Sequence, residues 1–332
     1  MDNPLSVVII GCGQIAGGYD EQNKSPSAVL THAGAYKKND KFMLHACIDP
    51  DSRACQKFMH NWHIEAGFAN LEDYDPFTAD VASICTPTEN HEAVLETLLS
   101  TSVKAVFCEK PLAYDYKASC RLADLYEKAG IPLAINFLRR WDPAIQALKK
   151  ELTDGKWGGI QAVTAFYNKG IFNTGSHILD LLTFLLGDMK LEEVSRWRVD
   201  YKVNDPTVDA TFSTQSGSPV YLIGLENKFY SIVEISILTT EGRIDIESSG
   251  FNIRFRRIEN GYRFPNNRYL DSGTVRETGL GHAMEMAVEN IYSAIKDNSE
   301  LASNGGTSLI SQELCCSVFD RVNGKNEQSA PV

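Results

Sequence analysis

Apolar residues along the first 135 positions come in short runs with few polar interruptions, at residues 6–10, 44–48, 81–85, 103–108 and 131–135. A strand buried on both faces reads this way, so the runs predict a parallel sheet covered by helices. Amphipathic stretches lie between them. Asp115 is a good N-cap for a helix carrying Ala118, Leu122, Leu125, Tyr126 and Ala129 on one face, stopped by Gly130 and Pro132. A second helix follows Asn90 through Ala93, Val94 and Leu98. The alternation predicts a doubly wound α/β domain, in which ligands lie beyond the carboxyl ends of the strands. The runs end there in Gly11, Asp49, Thr86, Glu109-Lys110 and Asn136.

The second half changes character. Residues 176–186 read as a helix stopped by Gly187, and residues 194–258 as alternating strands; Val233, Ile235 and Ile237 face one way, Glu234 and Ser236 the other. This predicts an antiparallel sheet with one face buried and the other either solvated or a subunit interface. Residues 283–295 and 308–319 read as closing helices. The expected organisation is a dinucleotide-binding Rossmann domain over 1–136, a substrate and oligomerisation domain of α+β type over 137–325, and a loose polar tail over 326–332.

Composition narrows the function. With 32 basic and 43 acidic residues the formal charge is −11, which speaks against general binding to nucleic acid or anionic membranes. No apolar run reaches the ~18 residues of a transmembrane helix. The start Met1-Asp2-Asn3-Pro4 lacks a basic region, so neither a membrane segment nor a signal peptide is expected. The eight cysteines form no C-x-x-C pair and read as reduced thiols of a cytoplasmic protein, with no metal site.

The sharpest local signal is Gly11-Cys12-Gly13-Gln14-Ile15-Ala16 directly after the first strand. In such a G-x-G-x-x-A turn the first glycine permits the bend, the second lets backbone approach a pyrophosphate, and the small third residue lets helix and strand pack. Phosphates then meet the free N–H groups of a helix start. Asp49, ending the second strand, is placed to accept ribose hydroxyls and to repel a 2′-phosphate, which favours NAD; Arg53 keeps NADP open. Asp49 lies well beyond the roughly twenty positions of the simple fingerprint. The excess reads as an inserted loop over residues 19–26. Lys110 then sits at the ligand edge of a buried strand, and His177 and Asp180, three apart, share a helical face. A lysine or histidine is a natural acid/base for an alcohol that loses both hydride and proton.

Taken together, the chain resembles the Gfo/Idh/MocA oxidoreductases. The matching residues are Gly11-Cys12-Gly13-Gln14-Ile15-Ala16, Cys85-Thr86-Pro87-Thr88-Glu89-Asn90-His91, Glu109-Lys110-Pro111-Leu112, Asn136 with Arg139-Arg140, and Gly175-Ser176-His177-Ile178-Leu179-Asp180. The resemblance implies a dinucleotide domain followed by an open-faced antiparallel sheet that supports homodimers or homotetramers. It also implies NAD(P)-linked chemistry on sugars or their derivatives, and the Tyr167-Asn168-Lys169-Gly170 turn is similar to a branch acting in surface-polysaccharide sugar biosynthesis. Carried over, Lys110 contacts the reacting hydroxyl and His177 moves the proton. Thr86, Pro87 and His91 line the cofactor with Gly11, Gly13, Gln14, Ile15 and Asp49, while Glu109 supports Lys110. The Lys110–Pro111 bond is expected in the cis form. Asn173 stands where many members carry an aspartate, and an amide orients an imidazole without stabilising its charge. That departure keeps open a second reading, a dinucleotide-sensing regulator without turnover. Arg140 is a candidate substrate contact and Asp180 a structural or orienting acid. His60 and His63 lack metal partners, and Arg254, Arg256 and Arg257 read as a solvated strand face rather than a phosphate clamp.

Overall fold

The computed structural model describes residues 3–22, 28–74, 76–261 and 266–328, with side chains as far as residue 324. The chain forms two compact units, Met1–Trp141 with Gly281–Leu309, and Asp142–Leu280 with Ile310–Val332.

The first unit is built on six parallel strands: β1 (Leu5–Ile10), β2 (Phe42–Ile48), β3 (Ala66–Phe68), β4 (Val81–Ile84), β5 (Ala105–Cys108) and β6 (Leu133–Ile135). Their order is β3-β2-β1-β4-β5-β6. The winding reverses between β1 and β4, so a crevice opens beyond their carboxyl ends. Val7 and Ile9 enter one core while Val8 and Ile10 enter the core on the opposite face. Double burial is why the run lacks alternation, and each such side chain stabilises by about 1.5–3 kcal/mol relative to exposure. The hydrophobic pattern does not mark β3, which is only Ala66-Gly67-Phe68, too short to show a period and with a glycine at its centre. The helix Tyr116–Ala129 starts at Asp115, whose carboxylate accepts the Ala118 N–H, and ends at Gly130 in the left-handed conformation.

Two boundaries differ from the sequence reading. The helix Ala283–Asp297 belongs to the first unit, not to a continuous second domain from 137 to 325. Its Met284, Ala287, Val288, Ile291 and Ala294 share a core with Val7 and Ile9. An amphipathic face does not say in sequence which sheet it covers. The tail reading also changes: the last helix runs Gly305–Gln328, so the stretch from Gly324 is helical, and residues 329–332 lie outside the described residues.

The second unit holds β7 (Ile160–Tyr167), β8 (Met189–Lys202), β9 (Asp205–Thr214), β10 (Pro219–Gly224), β11 (Val233–Thr239), β12 (Gly242–Glu247), β13 (Asn252–Asn260), β14 (Arg268–Leu270) and β15 (Thr274–Glu277). The order is β14-β13-β12-β11-β7-β10-β9-β8, with β15 beside β13. β10 runs parallel to β7 and the other pairs are antiparallel. One face carries Val163, Ala165, Val220, Leu222, Ile235 and Ile237 into a core with the helix Ser176–Leu186. The opposite face exposes Tyr221 and Leu238. Among the described residues no helix is long and apolar enough to cross a membrane.

Candidate functional site

The glycine turn sits at the crevice of the first unit. Gly11 has φ +91°, and a Cβ there would lie 2.8 Å from the backbone of Cys85 and Thr86. Only glycine lets β1 and β4 close this tightly. Gly13 is extended, and a Cβ at that position would meet nothing within 4 Å, so a bulky ligand can reach its backbone. Backbone from Gln14 onward is helical, Gln14–Gly18 as a wide turn and Tyr19–Gln22 as α-helix. Gln14 is exposed, Ile15 half-buried and Ala16 fully buried. The loop expected over 19–26 is therefore helical at its start, while residues 23–26 lie outside the described residues. Asp20 ties the two ends of this insertion, accepting from the Leu30 N–H at 2.9 Å and the Thr31 hydroxyl at 2.5 Å.

Asp49 is fixed against that turn. One carboxylate oxygen accepts the Cys12 N–H at 2.8 Å and the other accepts the Asp51 N–H at 2.9 Å. Asp51 caps the helix Ser52–Trp62, and Arg53 is exposed on its first turn. A groove of about 260 Å³ opens beside Asp49, lined by Ile10, Ile48, Pro50, Asn70, Leu71 and Thr86. The buried Thr86 hydroxyl finds no hydrogen-bond partner among the described residues. An open glycine backbone, a locked carboxylate, an apolar groove and an unsatisfied hydroxyl along one sheet edge fit a dinucleotide.

At the end of β5 the Lys110–Pro111 peptide is cis, as expected. Glu109, before it, is engaged from two sides. His32 Nε2 lies 3.1 Å from its Oε1 and the Asn136 amide donates to the same oxygen at 2.5 Å. His32 Nδ1 is 2.6 Å from the Ser83 hydroxyl, and the ring is fully buried. Burial pushes the Glu109 carboxyl up, but His32, Asn136 and the charge of Lys110 outweigh it and hold the group below the ordinary glutamate range. The carboxylate is thus ionised beside Lys110.

His91, expected to line the cofactor, lies between the loops after β4 and β5. It is fully buried, with Nδ1 2.9 Å from the Pro111 carbonyl and Nε2 3.0 Å from the Thr86 carbonyl. Both ring nitrogens face protein, so it braces the loops after β4 and β5. Pro87 is exposed at the start of the turn Thr88–Asn90. Arg140 is buried on the turn Leu138–Trp141.

In the second unit, Asn173 lies in the turn Gly170–Gly175 that leads into the helix Ser176–Leu186. His177 stands half-buried on the first turn of that helix and Asp180 is buried one turn on. Asp205 shapes the turn: its carboxylate accepts the Phe172 N–H at 2.8 Å and the Asn173 N–H at 3.0 Å. The Asn173 carbonyl accepts the Ser176 hydroxyl at 2.9 Å. A Cβ at Gly170, φ +86°, would collide with the Asp205 carboxyl at 2.2 Å. Arg254 pairs with Glu247, Arg256 donates to the Asp271 carbonyl and Arg257 stacks on Trp157, so these arginines serve their own unit. His63 is the left-handed cap of its helix.

The sheet edge thus gathers Gly11, Gly13, Asp49, Thr86, Glu109 and Asn136 in the first unit; in the second, Asn173 lies in the turn Gly170–Gly175 and His177 and Asp180 on the helix it leads into. Sequence reasoning missed His32, Ser83 and Asp205. His32 follows Thr31, whose hydroxyl caps the helix His32–Lys38, and that cap was the only available signal.

Residues 5–137 match the model of an oxidoreductase family with an NAD-binding Rossmann fold, GFO_IDH_MocA. An inositol 2-dehydrogenase of Rhizobium meliloti (strain 1021) is 26% identical over 275 residues, covering 75% of this chain and 80% of that protein. Among solved structures, an oxidoreductase from Agrobacterium radiobacter in complex with NAD+, L-tartaric acid and magnesium aligns over 96% of this chain and 97% of its own, with TM-score 0.76 and 19% identity. The WlbA dehydrogenase from Bordetella pertussis in complex with NADH and UDP-GlcNAcA aligns over 98% and 97%, with TM-score 0.78 and 17% identity. Residues 5–137 are thus similar to the NAD-binding Rossmann domain of the Gfo/Idh/MocA oxidoreductases.

Proposed function

We propose that this protein is an NAD(P)-dependent dehydrogenase or reductase acting on a secondary alcohol or ketone of a sugar or cyclitol ring, nucleotide-linked sugars included. The observation that carries the reading is the sheet edge, where the Asp49 carboxylate is hydrogen-bonded to the glycine turn and Lys110 follows the end of β5, cis-linked to Pro111. The names of relatives, an inositol 2-dehydrogenase and a D-glucoside 3-dehydrogenase, support a polyhydroxylated ring substrate. When bound, the dinucleotide supplies the hydride acceptor or donor at its nicotinamide C4.

Each residue then has a task. Gly11 and Gly13 admit the diphosphate, with Gln14 and Ile15 opening the helix at its end. Asp49 accepts ribose hydroxyls with lone pairs its two backbone bonds leave over, and favours NAD over NADP. Thr86 and Pro87 flank the cofactor. Lys110 donates to the reacting oxygen, with the ionised Glu109 carboxylate as its electrostatic neighbour. His177 takes or returns the proton, with Asp180 and the Asp205-held turn at Asn173 orienting it; Arg140 contacts substrate.

The test is reduced-nicotinamide absorbance with a panel of cyclitols, free sugars and nucleotide sugars. Lys110→Ala should cut turnover on the order of 10²-fold or more while dinucleotide binding persists. Tight dinucleotide binding with no hydride transfer to any member of the panel would instead favour the regulator reading, to which Asn173 lends support. Eight free thiols support a cytoplasmic setting, and the exposed Tyr221 and Leu238 on the open sheet face support a homodimer or homotetramer through that face.

A further inference from the structure

Cysteines distant in sequence meet beneath the glycine turn. Cys12 is the residue between the two glycines, Cys47 is near the end of β2, and Cys55 is on the first turn of the helix Ser52–Trp62. Cys47 Sγ and Cys55 Sγ are 3.7 Å apart, and all three sulfurs lie within 4.8 Å of one another. Cys47 and Cys55 are buried, and Cys12 is half-buried, so the group is closed on one side and reachable on the other.

The spacing has a chemical meaning. A disulfide holds its sulfurs about 2.05 Å apart. Here the Cys47 and Cys55 sulfurs stand at nearly twice that, as unbonded thiols do. Three sulfurs around one ion at about 2.3 Å are separated from each other by about 4 Å in a trigonal arrangement. The Cys47–Cys55 separation of 3.7 Å and the 4.8 Å limit on all three lie close to that value. Soft thiolate donors select soft metals and reject magnesium and calcium, which want oxygen. The three donors come from three different segments: the turn after β1, the strand β2 and the helix after it. Each is pinned independently: the turn by Asp49, the strand by its parallel neighbours, the helix by its Asp51 cap. Such a site is largely formed before the ion arrives, which limits the ordering cost of binding.

We propose that Cys12, Cys47 and Cys55 form a three-sulfur site for a thiophilic metal ion of the zinc or cadmium class. Binding exchanges thiol protons for the ion; no oxidant or reductant takes part. The proposal stands whether or not the protein turns over a sugar.

Cadmium is the probe, because its thiolate complexes absorb in the near ultraviolet. The full-length protein, kept reduced with a phosphine and freed of metal, is titrated with the ion. The expected result is saturation at one equivalent with an absorbance corresponding to three thiolates, and displacement by excess zinc. Cys55→Ser, which lies off the glycine turn, should weaken binding at least tenfold and reduce the band to two thiolates; Cys120→Ser, on another helix, should change neither. Cys55→Ala gives the same readout should a serine hydroxyl unsettle the helix, with circular dichroism reporting the fold. A band that fails to saturate at one equivalent, or that survives both Cys55 variants undiminished, overturns the proposal.

Discussion

At the scale of single residues, the two glycines of the turn do different work. Gly11 is required by the fold: its φ is +91° and backbone of the neighbouring strand end occupies the space of a side chain. Gly11→Ala should destabilise the protein by about 1–3 kcal/mol or more, read as a lowered denaturant midpoint. Gly13 has neither constraint, so Gly13→Ala should leave that midpoint nearly unchanged and weaken dinucleotide binding in calorimetry. A loss of stability at Gly13 equal to that at Gly11 would contradict the assignment. Glu109 carries a pH signature. Its carboxyl titrates below the unfolded value near 4.5, so the folded chain binds fewer protons than the unfolded one in that range. The stability it contributes is complete above that range and is lost as pH falls through the folded value. Glu109→Gln should flatten the acid limb of the stability profile. His32→Ala should cost about 1.5–3 kcal/mol, because it strips a donor from a buried carboxylate. It should also lower kcat more than dinucleotide affinity and move the acid limb of kcat upward in pH, which a purely structural histidine would not do.

At the scale of elements, the approach to His177 depends on a strand far from it in sequence. Asp205 opens β9 and its carboxylate fixes two amides of the turn Gly170–Gly175. Asp205→Ala should leave both amides without that acceptor and lower kcat with a smaller effect on cofactor binding; equal losses in both would argue against a local effect. This element shows what sequence can and cannot display. The helix Ser176–Leu186 was legible because Leu179, Leu182 and Leu185 recur at helical spacing and Gly187 ends it. The buried strands β1, β2, β4, β5 and β6 were legible because double burial leaves unbroken apolar runs. β3 was not, since three residues hold no pattern. Nor were the pairings His32 with Glu109, or Asp205 with Asn173: hydrogen bonds between distant segments leave no periodic trace. His91 falls in a motif beside the cofactor edge, yet burial and two carbonyl partners turn it inward.

At the scale of the molecule, a ligand that binds only the folded first unit must stabilise it. NAD at about one hundred times its dissociation constant should add about 2.7 kcal/mol, seen as a raised thermal midpoint. NADP should do less at equal concentration if Asp49 repels its extra phosphate; equal shifts would remove the preference assigned to that carboxylate. Tyr221→Glu on the open sheet face should lower the sedimentation mass of an oligomer, and an unchanged mass would exclude that face. The organisation was legible only in outline. Two sheets of different character announce themselves, but the return of Gly281–Leu309 to the first unit does not.

That return has a consequence for the birth of the protein. At roughly 5–20 residues per second a ribosome needs on the order of ten to thirty seconds between releasing Trp141 and releasing Leu309. For most of that interval the nascent nucleotide domain lacks the helix Ala283–Asp297, and the part of its core filled by Met284, Ala287, Val288, Ile291 and Ala294 lies open. A chain stalled or truncated near residue 280 is therefore a natural client for chaperones, although the whole of its glycine signature has already been made.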